Sequence, residues 1–356
     1  MYQSNISCPY REEPAAGNAY RETYLSDLQA LLEARQRQAR EERTAFGLRI
    51  AEDREAYRRQ YRAMLGWPLT EPTPAVRSVR EERIFENEDL MVTRVQLELW
   101  KKFRFYGIRF THKGAPRPYV LCQHGGLGTP ELCSSFFGSG NYNDMTMRIL
   151  NRGVNVFAPQ LLLWSVPEYG EDRFRSTPPA PGNNGTDEMR HRYDKALRQL
   201  GGSITALEIC CLSAVLDYLE TLPSATGKFG MAGLSYGGFY SLHAAAAEPR
   251  LQAVLSCALF HDRTTYDWPD MVWQNAAYTF QDAEIGALIC PRYLRIEVGR
   301  EDPLFDWHSA EAEYRRLQRY YAGHEEMLHF HVFEGNHEFS PEDEGVAEFV
   351  RAVQAL

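Results

Sequence analysis

Gly-Leu-Ser-Tyr-Gly at residues 233–237 is the stretch that decides the fold of this 356-residue chain, because of what flanks it. Residues 229–232 are typical of a short buried strand, and the alanine-rich residues 239–247 are typical of a helix that Pro249 ends. A serine at such a strand-to-helix turn has a strained backbone and an exposed hydroxyl, and its flanking glycines avoid collisions with the neighbouring strand and helix. We therefore predict that Ser235 is a catalytic nucleophile.

An acid and a histidine follow the serine in the chain order that this architecture requires. Residues 292–298 alternate as in a strand that Gly299 ends, and Asp302 comes shortly after it. Residues 327–333 predict another strand, and His337 follows the end of that strand. Because open parallel sheets place their sites at the carboxyl ends of strands, we predict that Asp302 is the acid and His337 the base.

Other residues compete for these roles. Asp306, Glu301 and Asp262 are the alternative acids, although Asp306 also has the position of a helix N-cap. His329 and His331 lie inside a predicted strand, on one face of the sheet. No third ligand with suitable spacing follows that pair, so we expect no metal site.

A second loop predicts the donors that stabilise a tetrahedral oxyanion. Residues 117–123 have the pattern of a strand, and it continues into His-Gly-Gly-Leu-Gly at residues 124–128. Such a loop brings bare backbone close to the nucleophile. One predicted donor is the backbone N–H of Tyr236, and the other is the N–H of Gly126 or of Leu127, between which the sequence does not decide.

Strands and helices alternate along most of the chain. Residues 76–111 contain three β-rich runs, and after them the alternation is regular. This order is typical of an α/β protein with a right-handed, doubly wound, mostly parallel sheet and an antiparallel lead-in.

These motifs together resemble the α/β-hydrolase superfamily, and within it the bacterial dienelactone-hydrolase-like and acetyl-xylan-esterase-like branch. The resemblance covers about Val76 to the C-terminus, including the Gly-x-x-Asp-Pro loop, the Gly-Asn-His loop and the run at residues 197–223. It implies hydrolysis of carboxylic esters through an acyl-serine, without a cofactor. Dienelactone hydrolases proper carry a cysteine nucleophile where this chain has Ser235, so the resemblance points to a serine esterase.

The first part of the chain has a different character. Residues 20–65 are helical in pattern and densely charged with both signs, with narrow apolar stripes that include Tyr24 and Leu28. We predict an N-terminal helical extension at residues 1–75 and an α/β-hydrolase catalytic domain at residues 76–356. We expect the arginines of the N-terminal extension to lie on a solvated, ion-paired helix face. The alternatives are a homodimer contact through these helices and a flap over the active site.

Composition narrows the partners. Lys and Arg total 39 against 48 Asp and Glu, and the net charge of −9 argues against nucleic acid or an anionic membrane as partner. No apolar run approaches the length of a membrane span, so we expect no membrane-spanning segment. The first residues contain no apolar core of a signal peptide, so we expect no signal peptide. Seven cysteines is an odd number, which favours free thiols and a cytoplasmic location. Four of them stand in apolar elements: Cys122, Cys210, Cys211 and Cys257.

Two long aromatic connections predict the walls of the substrate pocket. They run over residues 159–198 and 261–291, and we expect Trp164, Trp268 and Trp273 to bind substrate. The expected ligand is a small-molecule ester with a short acyl group. The same triad would also serve an amidase or a small-peptide hydrolase, and a more remote alternative is a non-catalytic binding protein.

Overall fold

The computed structural model of the chain describes residues 12–161, 187–266 and 268–356. Its nine described strands are β1 (Ser78–Glu86), β2 (Leu90–Trp100), β3 (Phe103–His112), β4 (Arg117–Gln123), β5 (Asn155–Pro159), β6 (Ala225–Leu234), β7 (Leu251–Cys257), β8 (Tyr293–Gly299) and β9 (Leu328–Phe333). They form one sheet in the order β1-β2-β3-β5-β4-β6-β7-β8-β9. The pairs from β1 to β3, and the pair of β3 with β5, are antiparallel. All the remaining pairs are parallel.

Helices lie before, between and after the strands in the chain. The described α-helices are α1 (Asn18–Arg49), α2 (Arg54–Leu65), α3 (Pro130–Cys133), α4 (Met145–Leu150), α5 (Asp187–Gln199), α6 (Ile204–Glu220), α7 (Tyr236–Ala247), α8 (Asp282–Ile289), α9 (Trp307–Tyr320) and α10 (Asp343–Ala355). Among these described helices, none combines the length and the apolar character that crossing a membrane requires.

Two hydrophobic cores lie on opposite faces of the sheet. The larger core joins the sheet to α2, α6, α7, α8 and α9, and the smaller one joins it to α4 and α10. The central strands β6 and β7 are buried on both faces because helices cover both sides, as expected for parallel strands. The predicted α/β class, parallel order and antiparallel lead-in are thus confirmed.

The second N-terminal helix packs into the larger core. Tyr61 is fully buried, and its hydroxyl shares a 2.6 Å hydrogen bond with Nδ1 of His243. Arg58 donates to the carbonyl oxygens of Ala246 (2.9 Å) and Leu288 (3.0 Å). Arg58 therefore differs from the predicted solvated arginines, because its guanidinium satisfies buried helix-end carbonyls. The division of the chain into an extension and a catalytic domain stays a prediction.

Candidate active site

Ser235 stands alone between a strand and a helix in a strained conformation. It joins β6 to α7 with φ 58° and ψ −119°, a region that a residue with a side chain adopts only when its surroundings enforce it. A Cβ at Gly237 would collide with the carbonyl oxygen of Gln123, and one at Gly233 would collide with the backbone of Gly237. The two glycines of the motif are therefore needed for the close packing that forces Ser235 into this turn.

His337 and Asp302 form a direct pair. His337 Nδ1 donates to Oδ2 of Asp302 at 2.8 Å, and the Asp302 side chain is 1 % exposed. Oδ1 of Asp302 accepts from the backbone N–H groups of Leu304 (2.8 Å) and Phe305 (3.2 Å), which fix the carboxylate. The imidazole thus has its Nδ1 occupied, which leaves Nε2 as the nitrogen available for a proton from a substrate-side group.

The three competing acids have other positions. Asp306 caps α9 by accepting from the N–H of His308 at 3.0 Å. Asp262 accepts from the N–H of Thr264 at 2.9 Å, and Glu301 lies exposed on the loop surface. Neither of the competing histidines lies at the pair either. His331 shares a 2.8 Å hydrogen bond with Glu342, and the ring of His329 packs 5.0 Å from that of Tyr293.

Backbone contacts hold the acid and base loops together. Gly299, at the end of β8, lies so close to Asn336 that a Cβ there would collide with the Asn336 carbonyl oxygen. The N–H of Arg300 donates to Phe333 O, and that of Glu301 to Gly335 O, both at 2.9 Å. The ends of two neighbouring parallel strands thus carry Asp302 and His337 side by side.

The His-Gly-Gly loop lies against the nucleophile. A Cβ at Gly125 would lie 3.2 Å from that of Ser235, and one at Gly126 would lie 3.2 Å from the Tyr236 ring. Leu127 has φ 57°, so the loop turns sharply there. Within the described part of the chain, the N–H groups of Gly126 and Leu127 donate to no other group. Both remain candidates for the oxyanion donor, and Tyr236 is the first residue of α7.

His124 at the base of this loop is a neutral structural residue. Its Nδ1 donates to Gly125 O at 2.8 Å, and its Nε2 accepts from the N–H of Leu161 at 2.9 Å. Burial lowers the pKa of His124 to about 4, because the charged imidazolium is disfavoured away from water. The neutral ring connects the loop to the chain after β5.

A cleft of about 590 Å³ opens above the carboxyl ends of the strands, and Ser235 and His337 both line it. The other described lining residues are Gly125, Gly126, Leu127, Gly128, Leu132, Gly140, Asn141, Tyr142, Leu234, Trp268 and Leu304. Among the described residues, Ser235 forms no hydrogen bond with His337. In enzymes without substrate, such catalytic contacts are often long and tighten when substrate binds.

The three predicted tryptophans have different outcomes. Trp268 lines the cleft and stacks on the Tyr236 ring at 4.9 Å. Trp273 is a correction, because it is 8 % exposed and packs in the core, 6.2 Å from the Phe239 ring and away from the lining of the cleft. Trp164 lies outside the described residues.

A buried ionic cluster supports the residue after the nucleophile. The Tyr236 hydroxyl donates to Asp270, whose Oδ2 accepts from Nε of Arg190 at 2.7 Å. Arg190 also donates to Glu208 and to the Tyr240 hydroxyl. Sequence analysis missed these residues because their partners are far apart in the chain and no local pattern connects them.

A short segment, residues 141–143, holds the histidine loop from the other side. We call it the brace segment. Nδ2 of Asn141 donates to His337 O at 3.2 Å, and the N–H of Phe339 donates to Asn141 O at 2.8 Å. Nδ2 of Asn143 donates to Phe339 O at 2.7 Å and to Oε2 of Glu338 at 2.9 Å.

Tyr142, the middle residue of the brace segment, contacts the His-Gly-Gly loop. The Tyr142 hydroxyl accepts from the N–H of Gly125 at 3.0 Å, and a Cβ at Gly128 would collide with that hydroxyl. The brace segment therefore connects the His-Gly-Gly loop with the loop of His337. The glycine- and asparagine-rich composition of residues 138–144 indicates a turn, but nothing in the sequence identifies its partners.

Comparisons with known proteins agree with this fold. The model of the X-Pro dipeptidyl-peptidase (S15) family matches residues 203–322, about a third of the chain. No curated protein matches the chain. A glucuronoyl esterase from Solibacter usitatus superposes with a TM-score of 0.59 at 15% identity, over 85% of this chain and 92% of that one.

Two further solved structures are similar. Acetyl xylan esterase 1 from Thermoanaerobacterium sp. JW/SL YS485 has a TM-score of 0.52 at 17% identity and covers 84% of this chain and 93% of that one. A cold-adapted esterase from an Arctic intertidal metagenomic library has a TM-score of 0.51 at 17% identity and covers 77% and 97%. At such identities the likeness shows the fold. Fold, family match and site together define an α/β hydrolase of the serine-hydrolase class.

Proposed function

We propose that the chain is a serine carboxylesterase that hydrolyses small, uncharged esters of short acyl groups. The observation that carries this proposal is the common cleft: a strained Ser235, His337 and the His-Gly-Gly loop all border it, and Asp302 holds His337 from behind. Each is a part that ester hydrolysis through an acyl-serine requires.

The mechanism follows from these positions. Ser235 Oγ attacks the ester carbonyl carbon while Nε2 of His337 takes its proton, and Asp302 stabilises the imidazolium. The N–H of Tyr236 and one N–H of the loop, from Gly126 or Leu127, stabilise the oxyanion. The C–O bond then breaks as His337 protonates the departing alcohol. Water attacks the acyl-serine in turn, gives its proton to His337 and releases the acid, and Oγ recovers its proton.

The lining of the cleft supports an uncharged substrate. Of its described lining residues, none is Asp, Glu, Lys or Arg, and Leu127, Leu132, Leu304 and Trp268 are apolar. Beside these described lining residues, a substrate carboxylate or ammonium would lose its hydration without gaining an Asp, Glu, Lys or Arg partner. A rigid apolar wall also favours short acyl groups, since overfilling a packed pocket costs about 1–3 kcal/mol.

A small-peptide hydrolase is the second candidate, because the matching family model is that of X-Pro dipeptidyl-peptidases. A substrate with a free amino terminus calls for a carboxylate in the pocket, and the described lining contains none. This favours the esterase. An amidase that acts on uncharged amides would use the same residues.

A series of 4-nitrophenyl esters tests the proposal, together with the acetyl anilide and an X-Pro anilide. We expect kcat/KM to be highest for acetyl or propionyl esters and to fall roughly ten- to hundredfold by the octanoyl ester. We expect no activation at a lipid–water interface. Values that rise steadily with chain length, or better turnover of the X-Pro anilide than of the acetyl ester, would overturn it.

A cytoplasmic location is part of the proposal. All six cysteines within the described ranges are buried and free, which suits a reducing compartment. Burial raises the pKa of the Cys133 thiol to about 12, so this group is an unreactive thiol at neutral pH.

A further inference from the structure

Three buried charged side chains lie behind the residue that follows the nucleophile. The side chains of Arg190 and Asp270 are 0% exposed, and that of Glu208 is 4% exposed. Burial of charged groups has a desolvation cost that their ion pairs often fail to offset. The proposed mechanism uses none of the three groups, so their contribution lies in what they hold in place.

Asp270 fixes the chain segment that carries Trp268. It lies in a 3-10 turn, Pro269–Met271, that begins directly after Trp268. Its carboxylate accepts hydrogen bonds from the Tyr236 hydroxyl at 3.0 Å and from Nε of Arg190 at 2.7 Å. Two residues after the tryptophan, the segment is therefore tied to α7 and to α5.

Trp268 is also one layer of a stack of flat groups. Its ring lies 4.9 Å from the Tyr236 ring at an interplanar angle of 13°. The Arg190 guanidinium lies 5.0 Å from the centre of the same Tyr236 ring. The Tyr266 ring meets the Trp268 ring edge-on at 4.8 Å. Because the stack and the Asp270 contacts hold the same side chains, Trp268 can move aside only by breaking buried contacts.

The chemistry at the ester carbon divides the cleft into three sides. Ser235, with Leu234 before it, forms the floor from which Oγ attacks. The oxyanion points to the N–H of Tyr236 and to the His-Gly-Gly loop, and the leaving alcohol points to His337, which protonates it. The acyl chain is the fourth substituent of the tetrahedral carbon and takes the remaining direction.

The described lining residues can be assigned to these sides by their contacts. Residues 125–128 and Leu132 belong to the His-Gly-Gly loop and to the helix α3 that follows it. Leu304 lies on the side of the leaving alcohol, because its N–H donates to the carboxylate that holds His337. The brace segment connects these two sides. Trp268 belongs to a different segment and stacks on Tyr236, so it borders the third side.

We propose that Trp268 determines the acyl length that the cleft accepts, as the wall against which the acyl chain of the bound substrate packs. The side chains of Tyr236 and Asp270 are positioning residues that hold this wall. A longer acyl chain must displace Trp268 together with its buried contacts, which lowers kcat/KM. This inference rests on the proposed acyl-serine chemistry and adds the residue that sets its acyl preference.

Two ratios of kcat/KM separate the acyl side from the alcohol side. The acyl ratio compares 4-nitrophenyl octanoate with 4-nitrophenyl acetate, and the alcohol ratio compares 1-naphthyl acetate with phenyl acetate. We expect Trp268→Ala to raise the acyl ratio at least about tenfold and to leave the alcohol ratio within about twofold of the parent. Trp268→Phe keeps a ring on Tyr236 and should give an intermediate acyl ratio.

Leu304→Ala is the matched control, because it truncates an apolar lining residue on the side of the leaving alcohol. It should change the alcohol ratio at least about threefold and leave the acyl ratio within about twofold of the parent. An acyl ratio that is unchanged in both Trp268 variants, or a change confined to their alcohol ratio, would overturn the proposal.

Tyr236→Phe tests the positioning role. It removes the hydroxyl that donates to Asp270 and keeps the ring and the backbone N–H. We expect the acyl ratio to rise about threefold, less than in Trp268→Ala, because the wall is loosened but present. A merely structural loss would lower kcat/KM for both esters equally, and an unchanged acyl ratio would overturn this role.

Failure of the proposed esterase function is distinguishable from failure of this inference. If the parent hydrolyses acyl anilides and no esters, the proposed esterase is wrong, and octanoyl and acetyl anilides give the same acyl ratio for Trp268→Ala. A parent that already prefers the octanoyl ester would overturn the role of Trp268 and leave ester hydrolysis itself supported.

Discussion

Ser235 has its role only through its immediate neighbours. Its φ of 58° holds Oγ above the sheet, and the glycines at positions 233 and 237 permit the close backbone contacts that this turn needs. Ser235 and His337 act as one unit in the proposed mechanism, so loss of either should remove most of the rate. We expect Ser235→Ala and His337→Ala each to lower kcat for 4-nitrophenyl acetate by roughly four to six powers of ten.

The measurement is single-turnover and steady-state kinetics on proteins with unchanged circular dichroism. A variant of either residue that keeps a tenth of the parent rate would contradict the assignment of that residue.

Asp302 is the carboxylate that accepts a hydrogen bond from His337. Substitutions can therefore distinguish Asp302 from the competing acids Asp306 and Asp262. Asp302→Asn should lower kcat several thousandfold, because the amide no longer stabilises the imidazolium or its tautomer. Asp306→Asn affects a helix cap, and Asp262→Asn affects a turn contact and an ion pair with Arg40, so the rates of both variants should stay within about tenfold of the parent. Parallel kinetics on the three variants check this. A severe loss of rate in Asp262→Asn would mean that Asp262, after the end of β7, is the acid.

At the scale of elements, the brace segment holds the His-Gly-Gly loop and the loop of His337 in fixed positions. Asn143 has φ 47° and donates twice to the loop of His337. Asn143→Asp keeps a residue type that tolerates this backbone but replaces both donors with a carboxylate next to Glu338. We expect kcat to fall ten- to a hundredfold with little change in KM, since the base moves while the pocket remains.

Asn151→Asp is the matched control, because Asn151 is exposed at the end of α4, and its rate should equal that of the parent. If Asn143→Asp raises KM and leaves kcat unchanged, the brace segment contacts substrate and does not position His337.

The elements could be predicted where a local pattern determines them. The turn at Ser235 and the strand ends before Asp302 and His337 follow from periodicity, glycine and chain order, and the structure has them at those places. Trp273 could not be predicted, because an aromatic residue in a long loop has the same local pattern whether it packs in the core or lines a cleft. Arg190 and the brace segment depend on contacts between distant parts of the chain.

At the scale of the whole molecule, α1 joins the α/β core through buried charges. Nη2 of Arg43 donates to Glu313 at 2.8 Å and its Nη1 lies 3.6 Å from Glu284, with all three side chains at most 5% exposed. The Tyr320 hydroxyl also donates to Glu284 at 2.8 Å. From the sequence we predicted that the arginines here form ion pairs on a solvated helix face. These ion pairs are buried instead, because the spacing of charges along a sequence does not reveal burial.

Burial raises the pKa of Glu284 to about 7, and the neighbouring Glu313 adds to this rise while Arg43 opposes it. The unfolded chain releases the same proton near pH 4.3, so the folded state holds an extra proton between these values. The free energy of unfolding from this group is therefore highest below about pH 4.3 and falls as the pH rises to about 7.

Urea unfolding at about pH 5 and about pH 7.5 tests this linkage. We expect Glu284→Gln to reduce the loss of stability between the two pH values by up to a few kcal/mol, because glutamine keeps the acceptor and carries no titrating proton. Glu301→Gln, at an exposed carboxylate, should behave as the parent does. An identical pH dependence in parent and Glu284→Gln would contradict the elevated pKa.

The nucleophilic role of Ser235 is the central claim, and intact-mass spectrometry after reaction with a fluorophosphonate tests it most directly. The probe forms a stable bond with a serine activated by a neighbouring base and an oxyanion hole. We predict one adduct per chain on the parent protein, mapped to Ser235 by peptide sequencing, and none on Ser235→Ala. An adduct on Ser235→Ala, or no adduct on the parent, would contradict the account.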